Sequence, residues 1–334
     1  MKKVTLFPNL ITKSNPYIQD FIDAFNSQDG VTVVNPPHKN PLLSILKKKY
    51  WGDTFVFNWF ESIPDFKYGP LQAFIAVFFI TFIKLSGRKI VWILHNKHPH
   101  AKKYGLLKKA LTFLIVKYAD LIITHATDGV ELIKQNYPFA YGKVHFLHHP
   151  TKNRLSDIDC SNVEMEYDLL IWGAIAKYKG IIEFIDYLRQ HSETKVKVCL
   201  IGKCASAELF NELNGKLPSN VTFIHKSMPF EELAEYIRRS QFVLAPYFSD
   251  SILSSGILMD SLSFGAKVIG PATGSFKDYS HEPLLKVYTF EEFGDVFNII
   301  EQKKLIPVSK EDYQTFLEQH NWQSFISQLL NLLN

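Results

Sequence analysis

Cysteine is scarce in this chain, and other features that would assign it to a special class are missing. The 334 residues include only Cys160, Cys199 and Cys204, an odd and sparse set that argues against a disulfide scaffold and for a reducing compartment. No apolar segment with a small-residue cleavage site follows Met1, so we expect no signal peptide and a cytoplasmic protein. Internal repeats of 20–50 residues and low-complexity tracts are also absent. Because a chain of this length and hydrophobic content can bury a sizeable core, disorder, collagen and coiled coil are excluded as its main state.

Long apolar runs are missing as well. The most apolar segment, LQAFIAVFFITFIKL at residues 71–85, has 15 residues, whereas a membrane-spanning helix needs about 20. Two interpretations stay open: a helix buried in the core, or a helix partly inserted in a bilayer. Lysines interleaved with aliphatic and aromatic residues at 42–51 and 102–111 favour the second, because such mixtures suit the anionic interface of a membrane. That interpretation implies a peripheral protein on the inner face of the membrane.

The charges are unevenly distributed along the chain. Residues 1–150 contain 19 Lys/Arg and 9 Asp/Glu, a net charge of +10, and the remainder carries −6. This asymmetry predicts an anionic partner for the front half, such as a membrane surface, unless it reflects only uneven solvated faces. We do not expect a nucleic-acid partner, because Arg88 is the only arginine among these basic residues and no nucleic-acid motif appears.

Short apolar runs alternate with helical patterns along most of the chain. A length of 334 residues and a hydrophobic content of 46% suit about two globular domains. Strands are predicted at 4–7, 31–34, 54–57, 90–94, 121–124, 144–147, 168–172, 195–201, 221–224, 242–244 and 267–269. Helices are predicted at 17–25, 41–49, 71–85, 102–117, 128–136, 180–189, 205–213, 230–240, 256–264 and in the tail. The pattern predicts an α/β chain of two doubly wound parallel-sheet domains facing a cleft.

The domain boundaries follow from where this alternation stops. We assign residues 1–150 to a first domain, 151–166 to a linker rich in Asn, Asp and Ser, and 167–310 to a second domain. Residues 311–334 are predicted as C-terminal helices that pack back toward the first domain. Ligands of doubly wound sheets bind beyond the carboxyl ends of the strands, so functional residues are sought there.

The sharpest functional signal lies at residues 246–274. A predicted strand ends in a polar loop, and Ser254, Ser255 and Gly256 then open a helix. Free backbone N–H groups and the dipole at a helix start suit an anion such as a diphosphate, although N-capping by the serines explains them equally well. Asp260 follows one turn later, where a carboxylate could hold sugar or ribose hydroxyls.

A second signal opens the second domain. A predicted strand ends at Gly173, and Lys177 and Lys179 occupy the loop before the next helix. Lys203 repeats the order of strand, glycine and lysine after the following strand. Lysines at the carboxyl ends of neighbouring strands would clamp a phosphate, whereas either lysine alone is more often a surface residue.

These segments resemble motifs of a known enzyme family. Residues 173–180 are similar to the Gly-x-Ile-x-x-Tyr-Lys-Gly turn of nucleotide-sugar glycosyltransferases of the GT-B fold, family-4 type, and 255–269 to their Ser-Gly…Gly-x-x-Val-Ile segment. The stretch 91–100 resembles their Trp-Thr-x-His-Asn region, and 15–17 and 58–61 fit members that build bacterial polysaccharides. The resemblance covers roughly residues 4–330.

The resemblance implies a glycosyltransferase that moves a sugar from a nucleoside diphosphate sugar to a hydroxyl of a glycan or polyprenyl-linked glycan. It implies transfer with retention, without a metal and with no cofactor beyond the co-substrate. The catalytic residues it implies are His95, Lys179 and Asp260. The donor-binding residues are Gly173, Lys177, Lys179, Gly180, Lys203, Ser254, Ser255, Gly256 and Asp260. The acceptor-binding residues are Asn15, Tyr17, Trp59, Glu61 and His100.

The sequence also departs from the family pattern. Alanines stand at 174 and 176, where the family often has an arginine, and Ile252 occupies the position of the first of two glutamates, with Asp250 nearby. Both a core role and a functional role stay open for His95, and the histidine spacing matches no zinc pattern. Two alternatives are kept: a nucleotide-sugar epimerase on the same fold, and a non-catalytic two-lobed sugar-binding protein.

Overall fold

The computed structural model describes residues 1–11, 16–97, 103–157, 164–247 and 252–334. The chain divides into two compact units, which are residues 1–149 with 322–334 (unit 1) and residues 150–321 (unit 2). The sequence had placed the divisions at 150 and 310.

Unit 1 is built on one fully parallel sheet. Its strands are β1 (Lys2–Phe7), β2 (Val31–Val33), β3 (Thr54–Asn58), β4 (Lys89–Leu94), β5 (Leu121–Thr124) and β6 (Val144–Phe146). Its first helices are α1 (Tyr17–Asn26), α2 (Pro41–Leu46), α3 (Gly69–Leu85), α4 (Gly105–Tyr118) and α5 (Thr127–Asn136). The strands lie in the order β2-β1-β3-β4-β5-β6. The central strands β3 and β4 are almost wholly buried, as expected when helices cover both faces of a parallel sheet.

Unit 2 repeats this plan with a different strand order. Its strands are β7 (Tyr167–Trp172), β8 (Val198–Ile201), β9 (Val221–Ile224), β10 (Ser240–Leu244), β11 (Val268–Pro271) and β12 (Val287–Phe290). Its helices are α6 (Ile181–Gln190), α7 (Ala207–Asn214), α8 (Phe230–Arg238), α9 (Gly256–Ser263), α10 (Gly274–Ser280), α11 (Phe293–Lys303) and α12 (Lys310–Gln319). The order β12-β11-β10-β7-β8-β9 is that of the Rossmann fold. From β7, strands β8 and β9 are added on one side of the sheet and strands β10 to β12 on the other. Folds of this type bind their ligands at this switch point, between β7 and β10.

The two C-terminal helices belong to different units. α12 buries Tyr313 and Phe316 in unit 2, and the Tyr313 hydroxyl donates a hydrogen bond to the Ala266 carbonyl at 2.9 Å. α13 (Trp322–Leu332) instead packs on α1 of unit 1, where the ring centroids of Trp322 and Phe325 lie 5.5 and 5.7 Å from that of Phe21. Of the predicted C-terminal helices at 311–334, α12 therefore belongs to unit 2 and α13 to unit 1.

The first part of the predicted linker is packed on unit 2. Leu155 is buried in the core of unit 2, and the backbone N–H of Arg154 donates to the Ser263 carbonyl at 3.0 Å. Thr151 forms a parallel bridge with Asn321, so the two points where the chain crosses between units are paired. Residues 158–163 of the linker lie outside the described part.

The structure confirms the predicted fold class of two doubly wound parallel-sheet domains. β12, α10 and α11 are additions that the sequence analysis did not assign. Within the described ranges, no helix has the length and apolar character needed to cross a membrane.

Candidate functional site

The loops that follow β7 and β10 meet at the point where unit 2 reverses its strand order. Gly180, at the end of the first loop, adopts a left-handed conformation with φ of +67°. A Cβ atom at this position would overlap the carbonyl oxygen of Pro246, which follows β10. Glycine is therefore required on both conformational and steric grounds, and it holds the two loops in contact.

The loop after β8 joins the same group. The backbone N–H of Ile175 donates to the Lys203 carbonyl at 3.0 Å, and Ala205 donates back to Ile175 at 2.9 Å. Gly202 also lies so close to Gly173 that a Cβ would overlap the Gly173 carbonyl oxygen. These contacts fix the backbone of Lys203 beside the β7 loop, but its side chain is exposed.

Lys179 is the buried cation of this site. Lys177 and Lys179 share one 3-10 turn, yet Lys177 is exposed whereas Lys179 is only 8% exposed. The Lys179 ammonium lies 3.6 Å from where a Cβ on Gly173 would stand and 5.8 Å from the centre of the Tyr247 ring. Burial lowers the pKa of Lys179 to about 8. Among the described residues, no carboxylate pairs with Lys179, and desolvation is the cause of its lowered pKa.

The first turn of α9 borders the same space. The Ile257 side chain approaches to 3.1 Å of the Cβ position on Gly173, which places the start of α9 beside the β7 loop. The hydroxyl of Ser255 caps α9 by accepting a hydrogen bond from the Leu258 N–H at 3.3 Å, so the capping interpretation holds for this side chain. Within the described part of the chain, the backbone N–H groups of residues 254–256 have no protein acceptor. They are therefore available to an anion, and Gly256 itself is exposed.

Asp260 has protein partners that the sequence analysis missed. Its Oδ1 lies 3.4 Å from the Arg154 guanidinium and accepts a hydrogen bond from the Thr151 hydroxyl at 3.4 Å. Arg154 also donates to the Ser263 hydroxyl at 3.0 Å and stacks on Phe230, with 4.2 Å to the ring centre. Arg154 was assigned to a linker because its segment has no periodicity, and only the packing of that segment on α9 brings the two charges together.

The carboxyl ends of three adjacent strands form a second polar group, in unit 1. Asn58 ends β3, while His95 and His125 directly follow β4 and β5. His95 is 6% exposed, and its Nε2 donates a hydrogen bond to the Asn58 Oδ1 at 2.9 Å. Asn58 and His125 were not among the predicted site residues, although Asn58 lies in a segment that resembles the family and the strand-end rule that selected His95 applies to both.

Aromatic rings surround His95. Trp59 stacks on it with ring centroids 4.5 Å apart, and Tyr17 makes an edge-on contact at 5.4 Å. Trp59 has a φ of +49°, a left-handed conformation that is unfavourable for a bulky side chain and is often found at functional sites. The structure therefore brings together three of the predicted residues, His95, Tyr17 and Trp59.

His95, His125 and His149 bring three imidazole rings together in this cluster. The rings of His125 and His149 lie 4.8 Å apart, and His125 donates from Nδ1 to the Leu147 carbonyl at 2.9 Å. Burial, reinforced by the neighbouring His149, lowers the pKa of His95 to about 3 and that of His125 well below its ordinary value. His95 and His125 are therefore neutral at physiological pH. Among the residues described, no three His, Cys, Asp or Glu side chains are arranged to hold a metal ion.

Glu61, another predicted acceptor residue, does not join this cluster within the described ranges. Glu61 is buried in the turn Phe60–Asp65, where burial raises its pKa to about 7 and the charge of Lys108 opposes that rise. No contact within the described ranges links Glu61 to His95. Asn15 and His100 lie outside the described residues.

Known structures share the fold of this chain. No family model and no curated protein matches the sequence. Among solved structures, Anabaena HepE in complex with UDP and glucose superimposes with a TM-score of 0.66 at 14% identity, covering 99% of this chain and 100% of that one. A glycosyltransferase from Rickettsia africae gives 0.63 at 11% identity, with 99% and 97% covered.

TarM from S. aureus, in complex with fondaparinux, α-GlcNAc-glycerol and UDP, gives a TM-score of 0.53 at 12% identity. The match covers 74% of this chain, which spans about half of the TarM chain (51%). The architecture of two Rossmann-like domains that this chain shares with these proteins is the GT-B fold.

Proposed function

We propose that the protein is a glycosyltransferase that moves a sugar from a nucleoside diphosphate sugar to a hydroxyl group of a glycan or lipid-linked glycan. The observation that carries this proposal is the buried ammonium of Lys179, which pairs with no described carboxylate and lies beside the amide groups at the start of α9. A fold alone does not define a function, but this site has the charge that a diphosphate requires. The UDP complexes of HepE and TarM support the same assignment.

The proposed chemistry follows from where charge develops. The bond between the anomeric carbon and the diphosphate oxygen breaks, and the electron pair stays on the diphosphate. The acceptor hydroxyl oxygen forms the new bond to the anomeric carbon and gives its proton to the departing diphosphate. Lys179 and the amides of residues 254–256 stabilise the departing diphosphate, which lowers the barrier. We propose that these groups act in place of a metal ion, and that Asp260, oriented by Arg154, binds the ribose.

We assign the acceptor to unit 1. Tyr17 and Trp59 offer aromatic surfaces and His95 a neutral imidazole, a combination of apolar walls and few polar groups that is typical of small-ligand sites. We further propose that transfer proceeds with retention, as in the family that the sequence resembles. Activity that is unchanged in excess EDTA would support metal independence, and the anomeric configuration of the product, measured by NMR, tests retention.

Nucleotide binding is the first test. Isothermal titration with a panel of nucleoside diphosphates and their sugars should give saturable binding for at least one base, with uracil tried first. Lys179→Gln should weaken this binding by roughly 10- to 100-fold, because a charge-assisted contact is lost from a desolvated site. Lys195→Gln is the matched control, since it removes the same charge from an exposed position at the opposite edge of the sheet. Equal affinity of wild type and Lys179→Gln would contradict the proposal.

Sugar transfer is the second test. Nucleotide release that depends on an added glycan acceptor is the expected result. Tight binding of the nucleotide sugar with neither release nor change would indicate a non-catalytic sugar-binding protein. Conversion of the donor sugar to its epimer without an acceptor would indicate the epimerase alternative.

A further inference from the structure

Helix α3 is apolar on both of its sides. One side is buried against unit 1, and the other is exposed. Its inner side is buried in unit 1 through Ala73, Ala76, Phe79, Ile80 and Ile83. Its outer side exposes Leu71 (62%), Phe74 (62%), Phe78 (61%), Phe82 (58%) and Leu85 (81%). Water contact at five large apolar side chains is unfavourable, so this surface is expected to have an occupant.

The exposed residues form one continuous stripe. Their spacing of 3, 4, 4 and 3 residues places them on the same side of the helix along its whole length. The rings of Phe74 and Phe78 contact each other with centroids 5.0 Å apart. A buried core helix, the first interpretation of this segment, therefore accounts for only half of its apolar surface.

Basic residues lie at the end of this stripe. The Trp51 ring contacts Phe82 at 5.6 Å, and the Arg88 guanidinium lies over Trp51 at 5.5 Å. Trp51 follows three exposed lysines, Lys47–Lys49. Aromatic rings beside cationic side chains are typical of the boundary between the acyl chains and the headgroups of a bilayer.

The neighbouring helix α4 extends the same character. It packs beside α3 and exposes Leu106 (87%) and Phe113 (45%). Lys109, between them, and Lys117, one turn beyond Phe113, are exposed on the same helix. The α3–α4 face, defined by the exposed apolar residues of both helices, thus combines apolar groups with positive charge and contains no exposed carboxylate on either helix.

We propose that the α3–α4 face binds an anionic lipid bilayer, with α3 lying in the plane of the interface. At about 1.5 Å per residue, the 17 residues of α3 extend for about 25 Å, and their inner side is committed to the core, so the helix does not span. The positive charge of this face favours a membrane over a second copy of the chain as its partner. Two copies joined through this face would bring their lysines together, whereas an anionic surface compensates them.

Co-sedimentation with vesicles tests this proposal independently of any enzymatic activity. The full-length protein should bind vesicles that contain 30–40% phosphatidylglycerol, roughly in the range that natural anionic membranes have, and should bind pure phosphatidylcholine weakly. Phe74→Ser with Phe78→Ser should lower the partition coefficient by about 100-fold, at about tenfold for each exposed ring. Replacing Lys47–Lys49 with glutamine should lower binding to anionic vesicles by about fivefold per lysine and leave binding to neutral vesicles unchanged.

The matched control is Leu305→Ser, which removes an apolar side chain of 87% exposure from unit 2. It should bind vesicles as the wild type does. Circular dichroism should be unchanged in every variant, because each altered side chain is exposed. The proposal is overturned if the double phenylalanine variant binds as tightly as the wild type, if neither vesicle is bound, or if the purified protein is a dimer that this variant converts to a monomer.

Discussion

Replacement of Lys179 by methionine should stabilise the protein while removing its affinity for nucleotides. Burial lowers the pKa of Lys179 from its ordinary value of 10.5 to about 8. At about 1.4 kcal/mol for each tenfold change in proton affinity, the charged side chain destabilises unit 2 by about 3 kcal/mol at neutral pH. Methionine has a similar length and carries no charge, so Lys179→Met should recover most of that free energy of unfolding.

The stability of the wild type should also depend on pH in a way that Lys179→Met abolishes. In the unfolded chain Lys179 keeps its proton up to about pH 10.5, whereas in the folded protein it loses the proton near pH 8. Between these values the unfolded state binds more protons, so the stability of the wild type rises with pH. The advantage of Lys179→Met should therefore be complete below pH 8 and vanish near pH 10.5.

The assay should follow unit 2 alone. Trp172 is the only tryptophan between residues 150 and 321, so its resonance in fluorotryptophan-labelled protein, followed by ¹⁹F NMR in urea, reports the unfolding of unit 2. Lys177→Met is the control for stability, because this exposed neighbour should change the free energy of unfolding by less than about 0.5 kcal/mol. A Lys179→Met variant that is no more stable than the wild type at pH 7, or is equally stabilised at pH 7 and pH 10.5, would show that the buried charge of Lys179 does not destabilise unit 2.

Three further predictions concern the Lys179 site of unit 2, the His95 cluster of unit 1 and the Arg154–Asp260 pair. The affinity for a nucleoside diphosphate should be greatest below pH 8 and fall as pH rises through that value, since the ligand binds the charged form of Lys179; calorimetric titrations from pH 6.5 to 9.5 check this. Unit 1 should lose stability as pH falls from 6.5 toward 3, because unfolding lets His95 bind a proton, and His95→Gln should flatten this slope in urea titrations. Asp260→Ala should lower the free energy of unfolding of unit 2 by about 1–3 kcal/mol, because it leaves the Arg154 guanidinium without its carboxylate; an unchanged urea midpoint would assign that pair no structural role.

The fold could be predicted because its buried strands are continuous apolar runs, whereas the partners of individual side chains could not be predicted. Continuous runs such as residues 90–94 predict parallel strands because both faces are covered, and the structure has β4 there. β12 and α10 were not predicted, since β12 is an edge strand of only four residues and α10 is a polar segment of seven residues. The strand-end rule also selected the loops after β7 and β10 as candidate donor-binding loops, and the structure brings these two loops into contact.

The detailed roles within each site depend on tertiary packing. Lys177 and Lys179 are equivalent in the sequence, but the fold buries Lys179 near Gly173 and the Tyr247 ring and leaves Lys177 exposed. In the same way, the apolar side of a tail helix indicates that it packs, but not on which unit. The partnership of His95 with Asn58 required two strands to be adjacent, which their spacing along the chain does not state.

The crossing of the chain back into unit 1 affects how the protein is made. Residues 150–321 leave the ribosome before α13 does, so unit 2 has its full set of strands while α1 still lacks the helix that covers Phe21. Unit 1 is therefore the last to reach its native state, although its sheet is synthesised first. Expression of residues 1–149 alone should yield an aggregation-prone fragment, and supplying 322–334 as a peptide should restore its solubility.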